Sequence, residues 1–152
     1  MSRNHRLLAA PAADVFDVLL HPETYPLWLV GCQRIRGIDD EWPAVGSRFH
    51  HAVGAGPMVI KDWTRLVESE QDRLLVLDAR ARPAGRAVVT FTLSPEGDGT
   101  RLEIEEHLAA GPLTPWIKRP IDPLIHLRNH RSLRQLSDLL RGRQFSPSPS
   151  TH

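Results

Sequence analysis

His51, Asp62 and Glu106 are the side chains of this sequence best suited to acid–base chemistry in an otherwise apolar setting. An imidazole beside a carboxylate can act as an oriented general base. A carboxyl group held away from water tends toward its neutral form and can donate a proton. Burying a carboxylate costs several kcal/mol unless it is paired or protonated. The partners available to this pair are His51 itself and Arg128 and Asn129, far along the chain. If Arg128 reaches Glu106, the acid becomes half of an ion pair instead of a proton donor.

Other motifs point to less chemistry. His126 and His130 have the i, i+4 spacing of zinc-binding pairs, but lack the adjacent Glu of the protease motif and flank the apolar stripe. No metal site follows from them, and no cofactor is implied. His50 and His51 are strand neighbours, so only one can face inward. Gly54-Ala55-Gly56 precedes a strand, which makes it a hairpin turn, since a dinucleotide loop opens a helix. Cys32 is the only cysteine and reads as a small filler. Trp28, Trp42, Trp63 and Trp116 could rim a cavity, though core packing is the commoner use, and Arg80, Arg82 and Arg86 read as a solvated cluster.

The chain has 152 residues, 41% of them hydrophobic, and a net charge of +1. That composition suits one folded domain over residues 1–142 and gives no electrostatic footprint for nucleic acid. No apolar run approaches the ~18 residues of a membrane span, and the first residues hold no signal core, so a cytoplasmic protein is expected. Residues 143–152 are Ser/Pro-rich and read as a disordered tail.

Positioning these residues requires a particular set of elements. Arg3–Ala10 suits a strand, Pro11 a turn, and Ala12–Leu20 a short helix that Pro22 breaks. Pro22–Trp28 reads as a second short helix or turn. Strand patterns then cover 33–39, 46–53, 58–67, 74–82, 86–94 and 100–109, the last five joined by loops of hairpin length. From Asp122 the spacing predicts a long helix, entered at Pro120 and Pro123 and stopped by Gly142. Ile121, Ile125, Leu133, Leu136, Leu139 and Leu140 share its apolar side, interrupted by Asn129 and Ser132 with Arg128 at the edge. A stripe polar in its middle predicts a helix lying across a cavity.

Loop lengths allow a register to be drawn, because facing residues in an antiparallel pair have a constant index sum. The expected pairs are Val53 with Met58, Phe49 with Asp62, Asp62 with Ala79, Ala79 with Val89, and Val89 with Glu106. They form one cross-sheet row that puts Asp62 and Glu106 about 14 Å apart on a flat sheet. A bulge would displace this row.

Four strings carry a resemblance: Ala10–Trp28 (APAADVFDVLLHPETYPLW), Val45–His51 (VGSRFHH), Arg86–Glu106 (RAVVTFTLSPEGDGTRLEIEE) and Leu127–Leu136 (LRNHRSLRQL). With the element order, they resemble the START-like, or SRPBCC, superfamily in its polyketide cyclase/dehydrase-type branch, over about Ser2 to Arg141. The resemblance implies an α+β helix-grip fold: a curved antiparallel sheet of about seven strands around a long C-terminal helix, with two short helices after the first strand. It also implies a cavity that binds a hydrophobic or aromatic small molecule, as a carrier, sensor or lipid-transport protein. The alternative is an enzyme of cyclase or dehydratase type using the same cavity, and a third reading is a partner-binding role with the cavity filled. From the register, the helix stripe and the tryptophans that could rim a cavity, the ligand-facing set is Trp28, Phe49, His51, Ile60, Asp62, Ala79, Val89, Phe91, Ile104, Glu106, Ile125, Arg128 and Asn129. His51, Asp62 and Glu106 are the catalytic candidates within it. A hydrophobic small molecule is the expected partner, without nucleic acid or membrane insertion, and a homodimer stays open.

Overall fold

The computed structural model describes residues 2–55, 57–81, 85–110 and 114–145. Strand β1 (Ser2–Leu8) leads through Pro11 into α1 (Ala12–Leu19), and a 3-10 turn (Pro22–Thr24) runs on into α2 (Tyr25–Trp28). Strands β2 (Cys32–Ile38), β3 (Arg48–Ala55), β4 (Met58–Glu70), β5 (Leu74–Ala81), β6 (Gly85–Glu96) and β7 (Gly99–Ala110) follow, then α3 (Thr114–Phe145). All seven strands make one antiparallel sheet in the order β1-β7-β6-β5-β4-β3-β2. This is the expected helix-grip arrangement. The core lies between the inner sheet face, α1, α2 and the C-terminal half of α3, with Phe16, Trp28, Phe49, Leu75, Phe91, Leu102 and Leu136 all buried.

Local chemistry explains the early elements. Val15, Phe16, Val18 and Leu19 give α1 a buried face. Pro22 starts the next turn, where its missing N–H costs nothing. Tyr25 and Trp28 turn inward from α2, while Leu27 stays 63% exposed. At the base of the sheet, β7 begins where the chain passes the end of β1. A Cβ on Gly99 would stand 2.3 Å from the Leu8 carbonyl oxygen, so only glycine fits that approach.

The long helix differs from expectation at both ends. It begins at Thr114, not near Asp122, so Pro120 and Pro123 lie inside it. Their missing N–H groups remove two internal bonds, yet such a loss bends a helix without ending it when the turns on both sides form. Gly142 does not stop it either, because the helix continues to Phe145. The apolar side is as expected where described: Ile125, Leu133, Leu136 and Leu140 are buried, Leu139 half-buried, and Asn129 and Ser132 fully buried between them. The side chains of Ile121 and Trp116, the residue Arg82 and the tail after Phe145 lie outside the described residues.

Register is where the structure corrects the sequence most. Val89 faces Glu106 and Phe91 faces Ile104, as expected. The other hairpins close differently. Ala55 pairs with Met58, His51 with Asp62 and Phe49 with Thr64. Thr64 pairs with Ala79, Leu77 with Val89 and Ala79 with Ala87. The turn between β4 and β5 is tight because Asp72 adopts a left-handed conformation (φ 60°), and a bulge between Leu66 and Glu68 adds a further offset. In the body of the sheet these three pairings, β3–β4, β4–β5 and β5–β6, are each displaced by two positions in the index sum. An even displacement keeps every side chain on its face, whereas one residue would have turned the sheet inside out. The single row therefore dissolves. Asp62 lies opposite His51, while Glu106 belongs to a different row with Leu66, Leu77, Val89 and Ser2.

Candidate functional site

Between the inner face of the sheet, the α2–β2 connection and α3 lies a cavity of about 330 Å³. That is within the range of small-molecule sites. Its wall is mainly apolar, built by Phe49, Leu77, Ala79, Val89, Phe91 and Ile104, which strand alternation sends inward from β3 to β7. Ala79 and Ala87 face each other across β5 and β6, and their small side chains leave the hollow open. The helix crosses this hollow with its polar middle, as the interrupted stripe suggests. Asn129 is fully buried there, and Ser132 accepts a hydrogen bond from the Val30 backbone N–H at 3.0 Å, tying α3 to the wall segment Leu29–Gly31.

Glu106 meets the helix directly. Arg128 Nη2 donates to Glu106 Oε1 in a short ion pair, and Asn129 Nδ2 donates to the same oxygen at 3.2 Å. The carboxylate is thus held by the two helix residues that the sequence offered as partners, and the ion-pair alternative replaces the neutral proton donor. Glu106→Gln is expected to destabilise the fold by about 1–3 kcal/mol. Arg128 is 38% exposed, so water softens the loss and keeps it below that of a fully buried pair. Urea unfolding at neutral pH measures it; unchanged stability would mean that the pair contributes nothing.

Asp62 and His51 are adjacent in the ladder but bond elsewhere. Asp62 Oδ1 accepts from the Trp63 backbone N–H at 3.1 Å and lies 3.4 Å from Arg80 Nε. His51 Nε2 shares a hydrogen bond with Thr64 Oγ1 at 2.9 Å. Nδ1 of His51 lacks a hydrogen bond of ordinary geometry, although the Trp63 backbone nearby favours the charged ring. Burial holds the His51 pKa below its usual 6.5, an effect that the Asp62 charge only partly offsets. The sign follows directly. Below about pH 6.5 the unfolded chain takes up a proton that the folded ring resists, so stability falls as pH drops toward the lowered folded value. His51→Gln should flatten that dependence, seen as a smaller drop in Tm between about pH 7.5 and about pH 5; an equal drop in both proteins would assign it to other groups.

Nine of the expected ligand-facing residues line the cavity: Phe49, His51, Ala79, Val89, Phe91, Ile104, Glu106, Arg128 and Asn129. Four do not. Trp28 is fully buried in the core, edge-on to Tyr25 and Phe91 at ring-centroid distances of 5.0 and 6.4 Å. Ile60 is 40% exposed. Asp62 is buried against Arg80 and does not line the cavity. Ile125 is buried where α3 lies on β1 and β7, next to the His126 carbonyl that accepts from Asn4 Nδ2 at 3.1 Å.

The wall also contains residues that strand and helix periodicity did not single out. Tyr25 comes from α2, Cys32 from the start of β2, and Leu29, Val30 and Gly31 from the connection between them, whose path depends on tertiary contacts. Thr64 and Leu77 share a strand face with Asp62 and Ala79, two residues away, so alternation alone finds them. Burial pushes the Cys32 thiol up to about 11, so it stays protonated. Burial also raises the pKa of Tyr25 strongly, and its hydroxyl donates to the Leu19 carbonyl at 2.6 Å. Trp63 faces outward, where its ring lies under the guanidinium groups of Arg48 and Arg80 at 5.5 and 5.8 Å.

Solved structures with the same fold are numerous. A Chromobacterium violaceum protein is 24% identical with a TM-score of 0.68, covering 90% of this chain and 94% of its own. A Nitrosomonas europaea protein superposes with a TM-score of 0.76 at 18% identity, covering 95% and 96%. The di-domain ARO/CYC StfQ from the steffimycin biosynthetic pathway has a TM-score of 0.76 at 10% identity, with 95% of this chain matching 51% of it. These likenesses establish the fold. No curated protein sequence matches significantly. Over residues 3–141 the sequence matches the family described as polyketide cyclase / dehydrase and lipid transport, and the chain belongs to that family.

Proposed function

We propose that this protein binds a hydrophobic small molecule in the cavity between the sheet and α3, as a carrier or sensor. The observation that carries this reading is that the inner wall is mainly apolar, with Tyr25, Thr64 and Glu106 already bonded within the protein. Tyr25 bonds to the Leu19 carbonyl, Thr64 to His51, and Glu106 to Arg128 and Asn129. A mainly apolar wall of this kind offers a ligand apolar surface first. Native mass spectrometry of the purified protein tests this: a bound apolar compound is expected, and it should be displaced by a hydrophobic fluorophore. A protein that neither retains a compound nor takes up the fluorophore would rule the reading out. The lipid-transport part of the family description agrees with a carrier, and with that role we propose a cytoplasmic location, open to cell fractionation.

One observation favours a second reading, an enzyme of cyclase or dehydratase type. His51 lines the cavity as a neutral imidazole whose Nε2 is oriented by Thr64, which is the state that a general base needs. The ARO/CYC relative points the same way. Incubating the co-purified compound with the protein should then give a new product, and His51→Gln should abolish it. Recovery of unaltered compound would exclude this second reading.

A further inference from the structure

Glu106 meets α3 with only one of its two oxygens. Strand alternation points it inward from β7 together with Ile104, and both line the cavity. Arg128 Nη2 and Asn129 Nδ2 both donate to Oε1. Among the described residues, Oε2 receives no hydrogen bond. Nor is it shut in. The side-chain atoms buried without a partner among these residues are His51 Nδ1, Asp78 Oδ1, His107 Nδ1 and Arg128 Nε. An unbonded oxygen that is not sealed off borders open space, and the space beside Glu106 is the cavity.

The group is held firmly in that orientation. Asn129 is fully buried, and its Oδ1 accepts from the same Arg128 Nη2, so the three side chains lock one another. Glu106 stands opposite Val89, and Ile104 stands opposite Phe91, which puts an apolar strip of the wall directly beside the carboxylate. An ionised carboxylate accepts at both oxygens and donates at neither. A ligand group that meets Oε2 must therefore bring the proton of the bond, and an anionic group would meet a like charge.

We propose that Glu106 Oε2 is the polar anchor of the cavity, and that the ligand is an uncharged amphiphile whose hydroxyl donates to it while its apolar body lies along Val89, Phe91 and Ile104. This rests on the cavity being a binding site and adds the chemical class of the occupant. Arg128 and Asn129 act through Glu106 as positioning residues, because their hold on Oε1 decides which oxygen is turned to the ligand.

Decan-1-ol and methyl nonyl ether are isomers, and only the alcohol has a donor. Decanoate adds a negative charge to the same carbon chain. Affinities of all three are read at neutral pH from displacement of a hydrophobic fluorophore. The alcohol should bind about tenfold more tightly than the ether, the worth of one hydrogen bond to a charged group. It should also bind more tightly than decanoate. Glu106→Gln replaces the acceptor by a donor, because Arg128 and Asn129 both donate and so take the amide oxygen, turning the amide N–H groups toward the ligand. An amide donor serves alcohol and ether alike, so their ratio should fall to about one, and decanoate should gain relative to both. Equal affinities of alcohol and ether in the wild type, tighter wild-type binding of decanoate than of decan-1-ol, or an undiminished alcohol preference in Glu106→Gln would each overturn the anchor while leaving the cavity reading intact. The wild-type comparison decides by itself if the variant fails to fold. Displacement by none of the three compounds would overturn the cavity reading and the anchor with it.

Discussion

Leu136→Ala should lower the stability of this protein by about 2–5 kcal/mol. Leu136 is fully buried on the inward side of α3, among the largest side chains of the core. Truncation removes its apolar transfer energy and leaves a cavity that a sheet on one side and a helix on the other cannot close. A domain of this size has about 5–15 kcal/mol in total, so the loss is a large fraction of what holds it folded. Leu127 on the same helix is the control, since it is 47% exposed, and Leu127→Ala should change stability by no more than about 0.5 kcal/mol. Urea midpoints for the two variants give the comparison directly. Similar small losses for both would show that α3 is not anchored through its inward stripe.

Ala79→Trp is expected to abolish binding while the protein stays folded. Ala79 lines the cavity from the middle of the sheet, paired with Thr64 on one side and Ala87 on the other. An indole at that position would project into a hollow of about 330 Å³ and occupy much of it. Filling existing space costs less than forcing a methylene into a packed core, so the stability penalty should stay within about 1–3 kcal/mol. Affinity for the retained compound, or for a hydrophobic fluorophore, should fall by about a hundredfold, equivalent to about 2.8 kcal/mol. A variant with native-like circular dichroism and undiminished binding would move the ligand out of this cavity. Together with Glu106→Gln, this substitution separates two contributions. The first closes the space without touching the ion pair, and the second weakens the pair without closing the space.

Faces were legible in the sequence because they are local. Alternation along β4 and β6 sends Thr64, Val89 and Phe91 inward whatever the neighbouring strand does, and helical spacing alone puts Leu133, Leu136 and Asn129 on one side of α3. The element order, read with the four family-like strings, was enough for the helix-grip fold, and the polar break in the α3 stripe was enough for a hollow beneath it. The Arg128–Glu106 contact could be offered as an alternative, since both residues lay on the inward or border positions of their elements. Choosing it over a desolvated acid required the actual crossing of helix over sheet.

What only the tertiary structure decided depends on chain closure. Which residue faces which is set by how tightly each hairpin turns: closing β3 on β4 at Ala55 and Met58 moves Asp62 from opposite Phe49 to opposite His51, and Asp72 in a left-handed conformation with the bulge after Leu66 puts Ala79 opposite Thr64 instead of Asp62. Those changes preserve every face, so periodicity could not register them. The helix runs through Pro120 and Pro123 because a missing internal bond is a local cost that the rest of α3 can absorb. The α2–β2 residues join the wall through contacts with α3 and β3, such as Ser132 on Val30 and the Gly54 N–H on the Gly31 carbonyl.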